Sequence, residues 1–485
     1  MANILQFEQI PVQGEPHTQI IPTHSDGVPV LVKITDPSFE ATGNPSNVKV
    51  IPAEYYDRFL SQEAKERLPS PIRSLFPLED RPGMISLLAG KPSPTTFPFT
   101  ALNFSVRSPT DPSQETALSL TSEELAAGLQ YGPTAGLDGL ISWVEGLQAF
   151  SHGRKQGEGW SVCIGSGSQD LISKAVSALV NDGDAILVES PVYAGVLPMF
   201  ETLHCQQIEV ETDANGISSS SLRSILESWP AGTPKPRCLY TVPYGCNPTG
   251  MTASVERRKE VLALAREHDF LILEDDPYYY VYYGKAPRPA SYFALELEEP
   301  EVGRVLRFDS LSKVLSAGIR IGIASGPEPF ITAINRHTST ANLSANGLTQ
   351  SIVLKLLTSW GYEGFSTHTK VVSDYYRGRR DVFEAAMQKH LKGLAEWTSP
   401  EAGMFVWFKL LLSPPGGSAT GAEEDSAAII RTHALEKGVL ALPGTAFLPN
   451  GRKTAYVRAS FSLLGDADID EALRRLGSVV AEARG

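Results

Sequence analysis

Cysteine is scarce in this chain, dense basic runs are missing, and no apolar stretch is long enough to cross a bilayer. The 4 cysteines (Cys163, Cys205, Cys238 and Cys246) form no CxxC pair, which removes the common zinc and dithiol patterns. Cys163 and Cys238 lie inside apolar, strand-like runs and read as buried free thiols that act as small hydrophobes. No metal site and no disulfide framework is expected. Lys+Arg total 42 against 55 Asp+Glu, a net charge of −13. Without a basic face to neutralise phosphates, nucleic acid is not expected as a partner. A membrane span needs ~20 consecutive apolar residues, and none approaches that length, so no membrane partner is expected. The opening residues, Met1-Ala2-Asn3-Ile4-Leu5-Gln6-Phe7-Glu8, lack a basic n-region, an apolar h-region and an Arg-rich amphipathic pattern. The last four, Glu482-Ala483-Arg484-Gly485, form no familiar sorting tripeptide. The expected location is cytoplasmic.

What is present is a long chain, 485 residues with 42% apolar content, enough for two or three domains at roughly 100–200 residues each. Residues 1–52 read as an irregular extension with a short hairpin around Val28–Ile34. Residues 53–110 read as an arm and part of a small domain, with a helical segment at Ala53–Leu68 closed by Pro69-Ser70-Pro71. From about 111 to 352 the pattern is regular. Leu137, Leu140, Ile141, Val144 and Leu147 fall at helical spacing, and so do Leu171, Ile172, Ala175, Val176 and Leu179. Strand-like runs appear at Trp160–Ile164, Ala185–Val188, Cys238–Val242, Phe270–Leu273, Val305–Phe308 and Ile319–Ala324, with a helix at Ser254–Glu267. Apolar strands alternating with amphipathic helices predict an α/β domain around a mostly parallel sheet. Residues 353–485 read as a smaller α+β domain. It has helices at Val371–His390 and Ile469–Ala483, strands at Met404–Lys409 and Ala455–Phe461, and a loop at Pro414–Asp425.

Four segments carry chemistry, each following an apolar strand. Asp309-Ser310-Leu311-Ser312-Lys313 precedes Arg320 by seven residues. A surface lysine is the plain reading; a partly desolvated lysine amine is also the group that forms a Schiff base with an aldehyde. Ser310, Ser312 and Arg320 offer hydroxyls and a fixed guanidinium to a phosphate. Gly165-Ser166-Gly167-Ser168-Gln169 joins a strand to a helix, so its N–H groups form an anion site. It is not a dinucleotide fingerprint, because the third glycine position holds Asp170. In Glu274-Asp275-Asp276-Pro277-Tyr278-Tyr279 three acids end a strand, and clustered carboxylates repel unless compensated. They form a solvated strand end, a metal site lacking a nearby histidine, or an aspartate facing a protonated pyridine nitrogen with a tyrosine three residues on. Pro243-Tyr244-Gly245-Cys246-Asn247-Pro248-Thr249-Gly250 is a tight turn whose Asn247 can offer its amide to a ring oxygen or a carboxylate.

Together and in this order, the segments resemble the fold-type I, class I pyridoxal-phosphate aminotransferases, most closely the fungal aromatic-amino-acid and 2-aminoadipate/kynurenine subgroup. Supporting segments are Leu88-Ala89-Gly90-Lys91-Pro92, Tyr131-Gly132-Pro133-Thr134 and Ala455-Tyr456-Val457-Arg458-Ala459. The resemblance implies an α/β fold. A large pyridoxal-phosphate domain would hold a mostly parallel seven-stranded sheet, beside a smaller α+β domain. It implies Lys313 as the Schiff-base lysine and proton shuttle. It pairs Asp276 with the pyridinium nitrogen and places Tyr279 and Asn247 on the ring oxygen. Tyr193 would stack on the ring. Ser168, Gln169, Ser310, Ser312 and Arg320 would form the phosphate cup, with Tyr131 reaching the neighbouring subunit's phosphate. Arg458 would hold the substrate α-carboxylate; Gly90 would admit the substrate, and Arg73 would stand near its side chain. Phe97, Tyr131 and Phe405 are the candidates for an aromatic pocket. Lys91 departs from the subgroup, which usually has an apolar residue there. The implied partners are amino acids and 2-oxo acids, 2-oxoglutarate among them, and a second copy of the chain in a homodimer with shared sites. A cofactor-sensing transcription regulator shares these motifs but needs a basic helix-turn-helix. The first fifty residues hold only two basic side chains, Lys33 and Lys49.

Overall fold

Every strand of the main sheet that the apolar runs predict is present, and three of its parallel strands end where a chemistry-bearing segment begins. The computed structural model describes residues 48–79, 81–88, 90–413 and 425–484. The hairpin expected at Val28–Ile34 and the loop at 414–424 fall outside them. Two hairpin strands that periodicity did not indicate, β1 (Asn103–Arg107) and β2 (Glu115–Ser119), pair antiparallel. The main sheet contains β3 (Trp160–Gly165), β4 (Ala185–Ser190), β5 (Gln206–Asp213), β6 (Gly216–Ile217), β7 (Cys238–Thr241), β8 (Leu271–Asp275), β9 (Val305–Ser310) and β10 (Gly322–Pro327). Its order is β3-β10-β9-β8-β7-β4-β5-β6. Neighbours from β9 through β5 run parallel, whereas β10 is antiparallel to both β9 and β3.

Among the described residues the sheet thus has eight strands where seven were expected. The extra one is the two-residue β6, antiparallel to β5 and too short to show a period. Strand β5 carries Gln206, Gln207, Glu209 and Glu211 and is only partly buried, so it lacks the apolar signature of the central strands. β10 starts at Gly322 rather than Ile319, because Ala317–Ile319 forms a short 3-10 turn and Arg320 is left-handed at φ 52°.

The helix Ser168–Leu179 buries Leu171, Ile172, Ala175, Val176 and Leu179, and no side chain caps its N-terminus. Ser254 caps the helix Val255–His268 by accepting from the Arg257 N–H. The expected helix at Ala53–Leu68 is instead a 3-10 turn, Ala53–Arg58, and a short helix, Gln62–Glu66. The helix expected at Val371–His390 is the second half of Gly347–His390, which is broken at Gly361 (φ 62°, ψ −176°).

A second sheet holds β11 (Ala395–Trp397), β12 (Phe405–Leu410), β13 (Leu442–Pro443) and β14 (Tyr456–Ser460) in the antiparallel order β11-β12-β14-β13. Val406, Phe408 and Leu410 are buried, while Phe405, Trp407 and Lys409 turn to the other, half-buried face. The helix Asp466–Arg484 packs Ile469, Leu473, Leu476, Val479 and Val480 inward. Among the described residues no helix is long and apolar enough to cross a membrane.

Candidate active site

A cavity of about 380 Å³ opens at the C-terminal ends of β3, β4, β7, β8 and β9, closed from the other side by the second sheet. Open parallel sheets place ligands at this edge. Ser168, Gln169, Tyr193, Asn247, Ser310, Ser312, Lys313, Arg320 and Arg458 all line it, as expected, together with Asp275, Tyr278 and Phe405. A larger, open cleft of about 1170 Å³ beside Trp407 and Tyr456 contains neither Lys313 nor Arg458.

One wall is built to hold an anion. Ser168 begins an uncapped helix, so free N–H groups face the cavity with the positive end of the helix dipole. Arg320 crosses from the turn before β10, donating to Ser312 Oγ (3.2 Å) and to the Ser166 carbonyl (3.1 Å). Two glycines make this approach possible. A Cβ on Gly167 (φ +94°) would lie 2.1 Å from Arg320 Nη2, and one on Gly322 would lie 2.3 Å from the Ser168 N. Gln169 ties the neighbouring loop in place by donating to the Gly195 carbonyl at 2.6 Å.

Lys313 stands between this wall and the acids of β8. Burial, with Arg320 adding to it and Asp275 opposing, holds its amine below the usual lysine range. A lysine that is more easily neutral is the more reactive nucleophile and proton carrier.

The acid in the cavity is Asp275, not Asp276, and the tyrosine is Tyr278, not Tyr279. Successive side chains on a strand face opposite ways. Asp276 turns with Glu274 to the far face, where the fully buried Arg307 contacts both and also grips Asp309. Tyr279 follows it: its hydroxyl donates to the Ser151 carbonyl at 3.0 Å, and its ring lies under the Arg288 guanidinium at 3.8 Å. Asp275 faces the cavity from the other side of β8. Its Oδ2 accepts from the Tyr240 hydroxyl at 2.6 Å, and its buried Oδ1 has no hydrogen-bond partner. Burial pushes this carboxyl up to about 7, with Asp309 adding to the rise.

Arg458 comes from β14 of the second sheet. Its Nη1 donates to Asn247 Oδ1 at 2.9 Å, its guanidinium lies 4.2 Å from the centre of the Phe405 ring, and its buried Nε has no partner. A guanidinium that is half satisfied and stacked on an aromatic face is set to receive a carboxylate.

The arm residues do not join this cavity within one chain. Tyr131 is 57% exposed. Arg73 Nη1 donates to the Gly132 carbonyl (3.1 Å) and Thr134 Oγ1 (3.0 Å), beside Tyr131. Gly90 is exposed with nothing within 4 Å of its Cβ position. Lys91 pairs with Glu79 at 3.2 Å, and Phe97 is absent from the lining.

The cup and Lys313 suit a cofactor that carries a phosphate and an aldehyde, and Arg458 suits the carboxylate of a substrate beside it. Residues 106–476 match the family "Aminotransferase class I and II", and the chain belongs to it. It is an aminotransferase, and its cofactor is pyridoxal phosphate. The chain is 44% identical over 414 residues to aminotransferase tdiD of Emericella nidulans, covering 85% of this chain and 93% of that one. It is 37% identical to the mitochondrial kynurenine/alpha-aminoadipate aminotransferase of Mus musculus, covering 88% and 99%. The crystal structure of the aromatic aminotransferase Aro9 of C. albicans superposes with a TM-score of 0.74 at 26% identity, covering 88% and 98%.

The cavity fits the cofactor. Asp275 Oδ1, buried and unpartnered, is the acceptor that a protonated ring nitrogen requires, and the anion cup suits a phosphate. The two adjacent aspartates provide a direct check. Asp275→Asn removes the charge facing the ring, so kcat falls by roughly 100-fold or more while the fold persists. Asp276→Asn leaves Arg307 short of one buried partner and costs roughly 3–5 kcal/mol of stability. Melting curves beside turnover separate the two; the reverse pattern would restore Asp276 to the site.

Proposed function

We propose that this aminotransferase moves the amino group of an aromatic amino acid to 2-oxoglutarate, and that it does so as a homodimer with shared sites. The observation that carries the substrate reading is Arg458 lying on Phe405, with Tyr193 and Tyr278 lining the same cavity. The guanidinium receives the α-carboxylate, and the aromatic walls receive a flat apolar side chain and exclude water. Asn247 holds Arg458 in register through its Oδ1. When bound, pyridoxal phosphate supplies an aldehyde that takes up the amino group and a cationic ring that accepts the electron pair left at the substrate Cα. Lys313 would take the proton from that Cα and deliver it to the cofactor carbon that carried the aldehyde oxygen. Ser168, Ser312 and Arg320 would hold the phosphate, and an ionised Asp275 would keep the proton on the ring nitrogen.

Competing donors decide the reading. Phenylalanine, tyrosine and tryptophan should exceed alanine in kcat/KM by about tenfold or more, the discrimination a fitted apolar pocket gives. The relative named for kynurenine and alpha-aminoadipate supports a second reading with those donors. A panel in which either exceeds every aromatic donor overturns the first reading in favour of the second.

The dimer reading is supported by the arm. Ile72, Met84, Ile85 and Leu87 are exposed there, the last two by 88% and 98%, a strip of apolar surface that a second copy would cover. Light scattering should give about twice 52.5 kDa. Mixed dimers of Lys313→Ala and Tyr131→Ala subunits should regain activity, since Tyr131 serves the neighbour's site. Lys313→Ala mixed with Arg458→Ala should regain none, because both residues line one chain's cavity. A monomer at active concentrations, or recovery only in the second mixture, contradicts the shared site.

A further inference from the structure

Tyr240 lies beneath the cavity and has no part in the chemistry described so far. It sits on β7 opposite Leu273 of β8, so it shares a face with Asp275 two residues further on. Its side chain is fully buried, with Phe200 edge-on at 6.2 Å. Its hydroxyl donates to Asp275 Oδ2 at 2.6 Å, the only side-chain hydrogen bond to Asp275 among the described residues. The bond fills one carboxylate oxygen and leaves Oδ1, also buried, without a partner. Charged groups around the pair are Asp309, Arg307 and Lys313 near Asp275, and Glu189 near Tyr240, with the Tyr193 hydroxyl close by. Burial raises the Tyr240 hydroxyl well above its ordinary range, so it stays a donor at any working pH.

We propose that Tyr240 is a positioning residue that aims Asp275 Oδ1 at the cofactor ring nitrogen and keeps the shared proton on the ring. The proposal rests on the cofactor reading above. A hydrogen bond donated to a carboxylate stabilises its charged form and makes it a weaker base. With the Tyr240 hydroxyl on Oδ2 and the positive ring nitrogen on Oδ1, Asp275 is ionised and the nitrogen stays protonated, so the ring remains a strong electron acceptor. Without the hydroxyl, an aspartate in an apolar setting competes for that proton. The transfer is one proton along one hydrogen bond; no other species is consumed.

The test is Tyr240→Phe, which deletes one oxygen and keeps the ring. The holoenzyme is reconstituted with pyridoxal phosphate carrying ¹⁵N in the ring, and the nitrogen resonance is followed with pH. The wild type should show a protonated ring. In the variant the resonance should move toward that of an unprotonated nitrogen across the pH range where the wild type is protonated, and kcat should fall roughly 10- to 100-fold, the kinetic equivalent of one hydrogen bond to a charged group. KM for the donor should hold within about threefold, because Arg458 is untouched. A variant resonance that titrates like the wild type overturns the proposal, since a packing role alone would leave it unmoved. If Tyr240→Phe does not fold, 3-fluorotyrosine at this position serves instead. Its stronger donor should move the resonance the opposite way, toward the fully protonated position, and an unmoved resonance overturns the proposal. A wild-type protein that binds no cofactor, or binds it with an unprotonated ring, removes the cofactor reading itself and is distinguishable from both results.

Discussion

Lys313→Ala should lose kcat/KM by about 10⁴-fold or more for every donor while still binding the cofactor. Two functions vanish with one side chain: the amine that holds the aldehyde and the base that moves the substrate Cα proton. Proton transfer by a positioned side chain alone contributes roughly 10²–10⁴-fold, and loss of the covalent anchor adds to it. The phosphate cup and the Asp275 contact remain, since Ser168, Ser312, Arg320 and Asp275 belong to other parts of the cavity lining. Binding of the cofactor should therefore persist, read by its absorbance after gel filtration. Turnover within tenfold of wild type would remove Lys313 from the mechanism. The arrangement also predicts why this lysine is suited to the task. Burial and Arg320 lower its proton affinity, so a larger share of the amine is neutral at a given pH than for a lysine in water.

Arg458→Ala should lower kcat/KM for donors and acceptors together. A charge-assisted pair in a partly buried site is worth roughly 2–5 kcal/mol, which is about 30- to 4,000-fold at 1.4 kcal/mol per tenfold. The uniform loss is the diagnostic part, because every substrate carries the same α-carboxylate. Arg458→Lys should recover little, since a lysine cannot present a planar fork from the place where Asn247 and Phe405 hold the guanidinium. Steady-state constants for one aromatic donor, alanine and 2-oxoglutarate settle the point. A loss confined to one substrate would place Arg458 against a side chain rather than the carboxylate.

The anion-cup residues and Lys313 were legible in the sequence because they follow apolar runs that the chain must bury as strands, and Arg458 because it stands inside such a run, where an unpaired charge is costly. Glycines at 167 and 322 leave little freedom in how the cup closes. The phase of the acid cluster was not legible from the local pattern. β8 is buried on both faces, so no alternation of polar and apolar residues tells which of two adjacent aspartates faces the cavity. The missing signal lay one strand away. Glu274 and Asp276, like Arg307 and Asp309, are spaced by two, and paired charges at this spacing on adjacent strands mark one salt-bridged face. That assigns Asp276 to Arg307 and leaves Asp275 for the site. Tyr240 was hidden for a related reason: a tyrosine in an apolar strand looks like core until the neighbouring strand's register is known. The arm residues Tyr131, Arg73 and Gly90 could not be placed in one chain's cavity, because the structure of a single chain brings them to its surface.

The most direct test of the site is to reduce the holoenzyme with borohydride and map the pyridoxyl label by peptide mass spectrometry. The account predicts one label per chain, on Lys313, and none when the protein is first mixed with an amino donor that takes over the cofactor. A label on any other lysine, or one on Lys313 that excess donor does not displace, would contradict it.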